Sequence, residues 1–309
     1  MSDHPEEIAV GPQARREQAV TDDVEASFCG AASPRFREVM QALVRHLHAF
    51  AREVRLTDPE WQRGIGFLTR TGHLTDDRRQ EFILLSDVLG LSMLTVGINA
   101  PRSAGATEST VLGPFFVPGA PEIPLGGDLA HGASGDPCWV EGRILGTGGE
   151  PVAGARIEVW QADADGFYDV QYEGERTAGR GWLRSGPHGE YRFWSVHPAP
   201  YPIPADGPVG DLLAAAGRGP MRPAHLHFRV DAPGYQTLIT HFFVAGDPFL
   251  DRDAVFGVKD SLIAEFSGHE PGRGPGGREL TGPWTSLRQD IVLAREPGGG
   301  PGGEPAGDG

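Results

Sequence analysis

Cysteine is nearly absent from this chain: among 309 residues only Cys29 and Cys138 carry thiols. Two cysteines make no disulfide framework, and the usage fits a reducing compartment such as the cytoplasm. Long apolar runs are also missing. A membrane-crossing helix needs about 18 or more consecutive apolar residues, so no transmembrane span is expected. Positive charge is scarce, with 27 Lys and Arg against 42 Asp and Glu and a formal charge of −15. A nucleic-acid or membrane-surface partner would want a basic stripe, and the sequence offers none. The N-terminal MSDHPEEIAVGPQARREQ has no apolar segment of the kind a secretory signal carries. These absences predict a soluble, acidic, cytoplasmic protein, with length enough for a sizeable core.

Four textures follow one another along the chain. Residues 1–22 are polar and unpatterned and read as a loose tail. Residues 23–105 carry helical periodicity. Ser33 before Pro34 is a cap and first-turn signal, and Phe36, Met40, Leu43, Leu47, Phe50 and Val54 recur at helical steps. Thr57 with Glu60 reads as a capping box, and Thr75 as the cap of a helix through Phe82, Leu85 and Leu89. Residues 106–295 change to short alternating segments between Gly and Pro: CWVEGRILG, ARIEVWQA, GEYRFWS, AHLHFRV, TLITHFFV and RQDIVLA. These predict the strands of an antiparallel sandwich, and with it a mainly β fold preceded by a helical module. Residues 296–309 are Gly/Pro-rich low complexity that cannot pack a core.

Within the β region, Pro223-Ala224-His225-Leu226-His227-Phe228 is the sharpest feature. On a strand, alternate side chains share a face, so His225 and His227 point the same way, roughly 7 Å apart at Cα. That spacing lets two imidazoles reach one metal ion, and it also fits two half-exposed histidines on a sandwich face. Tyrosine is rare, with five in all. Tyr191 and Tyr235 sit in strand and turn patterns, whereas Tyr168 and Tyr201 sit at loops, Tyr201 in the proline-fixed HPAPYPIP. Phenolate is a hard anionic ligand. Two Tyr with two His would suit ferric iron better than zinc, which favours Cys, His and carboxylate. Taken singly, each tyrosine also fits an ordinary structural role. His46 and His48, two apart on a helix, point away from each other, and His188 lies in a turn.

The segments STVLGPFF, IEVWQADADGFYD, YPIP, RPAHLHF and DAVFGVK resemble the intradiol ring-cleavage dioxygenases, over roughly residues 25–295 and most of all their hydroxyquinol-cleaving branch. The resemblance implies Fe(3+) held by Tyr168, Tyr201, His225 and His227. A hydroxide would complete a trigonal bipyramid, with Tyr201 and His227 axial. It further implies that Tyr201 takes a substrate proton and Arg222 stabilises the anionic ring. His241 stands where catechol-specific relatives usually have Gln. Leu84, Val111, Leu112, Gly113, Pro114, Phe115, Ile203, Pro204 and Val255 are implied as pocket lining, and a homodimer through the N-terminal helices as the assembly, with a phospholipid at its interface.

Asp87 is the lone charge from Phe82 up to Arg102, and on one continuous helix it shares a face with Leu84, Leu91 and Leu94. A carboxylate on an apolar stripe is costly unless paired. A third ring hydroxyl is one partner; a loop to cap or an arginine is another. The expectation is therefore conversion of hydroxyquinol and O2 to maleylacetate, with catechol or chlorocatechol as alternative substrates. A non-catalytic sandwich that keeps only the fold is the rival of another class.

Overall fold

The structure, a computed structural model, describes residues 11–76, 79–100, 103–174 and 176–297. The chain forms two compact units that divide between Thr69 and Arg70. This falls earlier than the 105/106 change of texture, because the helices after Thr75 pack with the β region.

The first unit contains α1 (Pro12–Ser27), α2 (Pro34–Glu53) and most of α3 (Asp58–Leu74). The caps at Ser33 and Glu60 form as expected. Ser33 accepts from the Phe36 amide at 3.2 Å, and Glu60 accepts from the Thr57 amide at 2.9 Å. The loose tail does not hold from Pro12 onward, and residues 1–10 lie outside the described residues. A helix forms there because its contacts are polar rather than an apolar stripe. Buried Thr21 meets His48 Nδ1 at 3.0 Å and Arg52 Nη1 at 2.8 Å, and Glu25 pairs with Arg45. The apolar stripe of α2 stays open: Phe36, Val39, Leu43, Leu47, Phe50 and Val54 are 45–57% exposed.

The second unit begins with the end of α3. Thr75 closes that helix, donating to the Thr71 carbonyl at 2.9 Å, rather than capping the next. Helices α4 (Glu81–Val88) and α5 (Leu91–Asn99) follow, set at 77° to each other. Gly90 takes φ +74° between them, a left-handed turn that glycine adopts without strain. The face shared by Asp87 with Leu91 and Leu94 is thereby lost. Leu84 and Asp87 are buried at 4% and 3% exposure, while Leu91 and Leu94 are 57% and 60% exposed. Among the described residues no single helix is long and apolar enough to cross a membrane.

The strands are β1 (Pro137–Gly146), β2 (Arg156–Trp160), β3 (Arg180–Arg184), β4 (Glu190–Val196), β5 (Tyr201–Pro202), β6 (Met221–Arg222), β7 (His225–Asp231), β8 (Leu238–Val244), β9 (Ile263–Ala264), β10 (Phe266–His269), β11 (Gly272–Arg273), β12 (Glu279–Leu280), β13 (Trp284–Arg288) and β14 (Ile291–Leu293), with α6 (Pro208–Ala215) between β5 and β6. One sheet runs β3-β2-β7-β8-β9; the other runs β10-β13-β1-β14 with β4 on β1. They share one core. Leu226, Phe228 and Phe242 of the first meet Val140, Ile144 and Phe193 of the second, and the Phe193 and Phe228 rings are 6.3 Å apart.

Two expectations need correction. The sheets are mixed: β1 pairs parallel with β13 and β14, and β8 with β9. Long connections allow parallel neighbours that a hairpin cannot make. The mainly β class is met only in part, since 32% of the described residues are helix and 24% strand. Sequence patterning passed over β3, β10, β13 and α6, all short and without strict alternation. The anticipated strand segments do form, and α4 joins the β unit through α6, where Glu81 accepts from the Val209 amide at 3.1 Å.

Strands β13 and β14 share one edge of β1 and are interrupted at Gln289–Asp290. There the Gln289 amide donates to Glu141, and a Cβ on Gly142 would lie 1.8 Å from the Gln289 carbonyl oxygen. Backbone at that distance cannot yield cheaply. Gly142→Ala is expected to lower stability by about 3 kcal/mol, read as a fall in the urea midpoint; an unchanged midpoint would show this junction to be slack.

Candidate metal centre

Strand β7 alternates cleanly. Leu226 and Phe228 fill the core, and His225 and His227 emerge on the opposite face, both about fully buried there. Neighbouring strands flank His227. Trp160 of β2 stacks on its ring at 4.6 Å and 16°, and His241 of β8 approaches edge-on at 4.1 Å. Tyr168 comes from the loop after β2. Asp163 ties that loop by accepting from the Phe167 amide and from Tyr172 Oη at 2.6 Å. Just beyond, Asp169 and Arg180 form a buried ion pair, and Arg180 also reaches the Phe115 carbonyl. Tyr201 opens β5, paired in register with Arg222 of β6.

These elements bring four donor atoms to one point. Tyr168 Oη lies 2.8 Å from His227 Nε2 and 3.3 Å from Tyr201 Oη, and the Nε2 atoms of His225 and His227 are 3.1 Å apart. His225 Nδ1 donates to the Pro223 carbonyl at 2.6 Å, which leaves Nε2 with its lone pair. His227 Nδ1 is buried without a partner among the described residues. Two cis ligands of a first-row ion with bonds near 2.1 Å stand about 3.0 Å apart, and the observed spacings bracket that value. With His227 carrying its proton on Nδ1, both Nε2 atoms present lone pairs that can ligate a cation between them. The four side chains therefore fit one metal ion.

Burial governs protonation here. It draws His225 down to about 3, helped by the Arg222 charge, and holds His227 and His241 well below their usual range. The imidazoles are neutral at pH 7, as ligands must be. Burial also lifts the Tyr168 phenol far above its ordinary value, the Tyr201 oxygen adding to the effect. Only a strong cation would keep such a phenol ionised. The three histidines offer nitrogens within 4.8 Å of one another, but the contacts of His241 are with the other two rings, Phe243, Arg222 and the Val111 backbone rather than with a tyrosine oxygen, among the described residues.

Arg222 sits beside the four donors, fully buried. Its Nη1 lies 3.3 Å from both Tyr201 Oη and His225 Nε2, and Nη2 lies 3.5 Å from His241 Nδ1. Asp253 binds its other side at 3.1 Å. Burial alone would lower the guanidinium and raise the carboxyl; their mutual attraction wins, so Arg222 moves up and Asp253 down. Asp87 is different. Burial raises it, a hydrogen bond with Ser92 and the Arg222 charge oppose the shift only in part, and it makes no ion pair among the described residues.

Most residues anticipated as lining lie together with the donors. Leu84, Phe115, Ile203 and Val255 share one buried cluster with Tyr168 and Tyr201, and Leu112 packs on it. Phe115 stacks on Tyr168 at 4.5 Å, and a Cβ on Gly113 would stand 3.2 Å from His227 Cε1. Val111 is buried; Pro114 and Pro204 are half-buried beside Phe115 and Ile203. Sequence reasoning missed Asp253, Trp160 and the Asp169–Arg180 pair. The signal for Asp253 was present, as an acid in the apolar stretch DAVFGV.

Comparison with known proteins finds relatives over most of the chain. The family model described as Dioxygenase matches residues 111–293, and the one described as Catechol dioxygenase N terminus matches residues 33–107. The chain is 62% identical to hydroxyquinol 1,2-dioxygenase of Nocardioides simplex, over 91% of this chain and 97% of that protein. It is 60% identical to hydroxyquinol 1,2-dioxygenase of Rhodococcus opacus, over 91% and 94%. The solved structure of hydroxyquinol 1,2-dioxygenase from Pseudomonas putida DLL-E4 superposes with a TM-score of 0.84 at 45% identity, covering 91% of this chain and 99% of that one. With both halves matched and the paired tyrosines and histidines converging as they do, the chain belongs to the intradiol ring-cleavage dioxygenases.

Proposed function

We propose that this protein cleaves hydroxyquinol, benzene-1,2,4-triol, between its adjacent hydroxyl-bearing carbons. Both atoms of O2 enter the product, 3-hydroxy-cis,cis-muconate, which tautomerises to maleylacetate. One observation carries the reading: four buried donors from Tyr168, Tyr201, His225 and His227 converge beside the Arg222 guanidinium. The relatives at 62% and 60% identity, named hydroxyquinol 1,2-dioxygenase, support the choice of ring.

The four donors would hold ferric iron, because two phenolates offset most of a trivalent charge. When bound, the iron supplies a Lewis acid that draws both adjacent ring oxygens to one centre and makes the ring reactive toward O2. Tyr201 Oη accepts a proton from the substrate hydroxyl. Arg222 donates to the oxygen that becomes anionic, and His241 Nδ1 holds the far side of the guanidinium. Leu84, Phe115, Ile203 and Val255 exclude water around the ring. Asp87 receives the third hydroxyl; a site built around such a hydrogen bond discriminates against the ring that lacks it. In this reading residues 106–295 form the catalytic domain, a sandwich of two mixed sheets. Residues 23–105 form the dimerisation module, working in the cytoplasm, and a phospholipid fills apolar space between subunits. The open stripe of α2 supports the dimer, since contiguous exposed apolar faces mark interaction surfaces.

Three measurements test this. Protein loaded with ferric iron is expected to be red-brown from tyrosinate charge transfer, and Tyr168→Phe to lose most of that band; an unchanged visible spectrum removes Tyr168 from the ligand set. In oxygen uptake with hydroxyquinol and catechol side by side, Asp87→Ala is expected to shift the preference toward catechol by roughly tenfold or more. An unaltered ratio means Asp87 is not the selector. Leu43→Glu with Leu47→Glu should convert a dimer to a monomer in analytical ultracentrifugation, and a sedimentation coefficient that stays put places the interface elsewhere.

A further inference from the structure

We infer that Asp253 is a positioning residue that aims Arg222 at the reacting ring oxygen. This rests on the reading of Arg222 given above. The geometry is specific. Asp253 Oδ1 accepts from Arg222 Nε at 3.1 Å and Oδ2 from Nη2 at 3.4 Å, so the carboxylate grips one edge of the guanidinium. The opposite nitrogen, Nη1, is the one 3.3 Å from Tyr201 Oη. A planar fork held along one edge has its remaining donor direction fixed. Both side chains are almost wholly buried, at 3% and 2% exposure, and no other ion pair to Arg222 exists among the described residues.

The carboxylate is itself held. It accepts from the Val255 amide at 3.3 Å and the Gly257 amide at 2.9 Å, within a turn where Phe256 has φ +59°. A Cβ on Gly257 would stand 3.0 Å from both Arg222 Nη2 and Asp253 Oδ2, so the turn closes tightly over the pair. The same turn carries Val255 into the cluster around the tyrosines. Backbone, carboxylate, guanidinium and phenol oxygen thus form one chain of contacts ending at the donor set.

The alternative is that Asp253 serves only to shape its turn. A double-mutant cycle on the full iron-loaded protein separates the two. Asp253→Asn is expected to lower kcat at least tenfold with KM changed less, and to shift the tyrosinate charge-transfer band, which a merely structural loss leaves in place. In an Arg222→Ala background the same change should cost less than twofold in kcat. It should also raise the urea midpoint of the iron-free protein, because Arg222→Ala strands Asp253 as an unpaired buried charge that Asn removes. Additive losses in kcat, or a single Asp253→Asn variant with near wild-type kcat and an unmoved band, overturn the proposal. If Asp253→Asn does not fold, folding of the double variant supports the pairing, and its failure assigns Asp253 to the turn instead. Wild-type kcat in Arg222→Ala would sink both the role of Arg222 and this inference. A lowered kcat there with additive losses sinks this inference alone.

Discussion

Two imidazole nitrogens face each other at 3.1 Å in a place water does not reach, each with a tyrosine ring close by. The surrounding structure fixes this contact in advance. Strand β7 supplies the first constraint: its core-facing Leu226 and Phe228 are fully buried, so the register cannot slip without turning the whole strand over. The hydrogen bond from His225 Nδ1 to Pro223 and the stacking of His227 on Trp160 then fix the two ring planes. What the sheet builds on this face is a set of donors held in advance for a cation.

The same preorganisation extends to charge. A lone guanidinium buried beside neutral imidazoles would be costly, and Asp253 cancels it inside the site. On the other flank the Asp169–Arg180 pair does likewise for the loop that delivers Tyr168. Each buried cation near the donors has its own carboxylate, so neither pair adds net charge to whatever the four ligands hold. With ferric iron bound as proposed, two phenolates would leave a small net charge at the centre, a balance that an anionic ring oxygen would complete.

Much of this was legible in the sequence, for a physical reason. The histidine pair obeys a strict two-residue period and left a pattern of its own, whereas Tyr168 and Tyr201 stood out through the resemblance of IEVWQADADGFYD and YPIP to the family. The caps at Ser33 and Glu60 are local and were equally plain. What did not show were features that depend on distant partners. Asp253 looks like any acid until Arg222 lies beside it, and parallel pairing of β1 with β13 and β14 joins segments more than a hundred residues apart. The continuous helix drawn through Asp87 failed on one residue. Gly90 interrupts an otherwise apolar run, and its left-handed turn separates Leu84 from Leu91.

That failure alters how Asp87 should be understood. Its selecting role was inferred from an apolar stripe extending on both sides, and half of that stripe points outward. The burial survives for a different reason: α4 is pinned at its start, where Glu81 meets the Val209 amide of α6, and Leu84 and Val88 seal it among the tyrosine cluster. Asp87 therefore lies within reach of the Arg222 charge at the end of a short helix rather than in the middle of a long one. Asp87 and Asp253 are similarly buried acids near one arginine, yet their fates diverge. Asp253 takes the guanidinium and stays ionised; Asp87 is left with Ser92 and a carboxyl raised by burial. An acid whose natural partner is already taken is the one with hydrogen-bonding capacity to spare for a third ring hydroxyl.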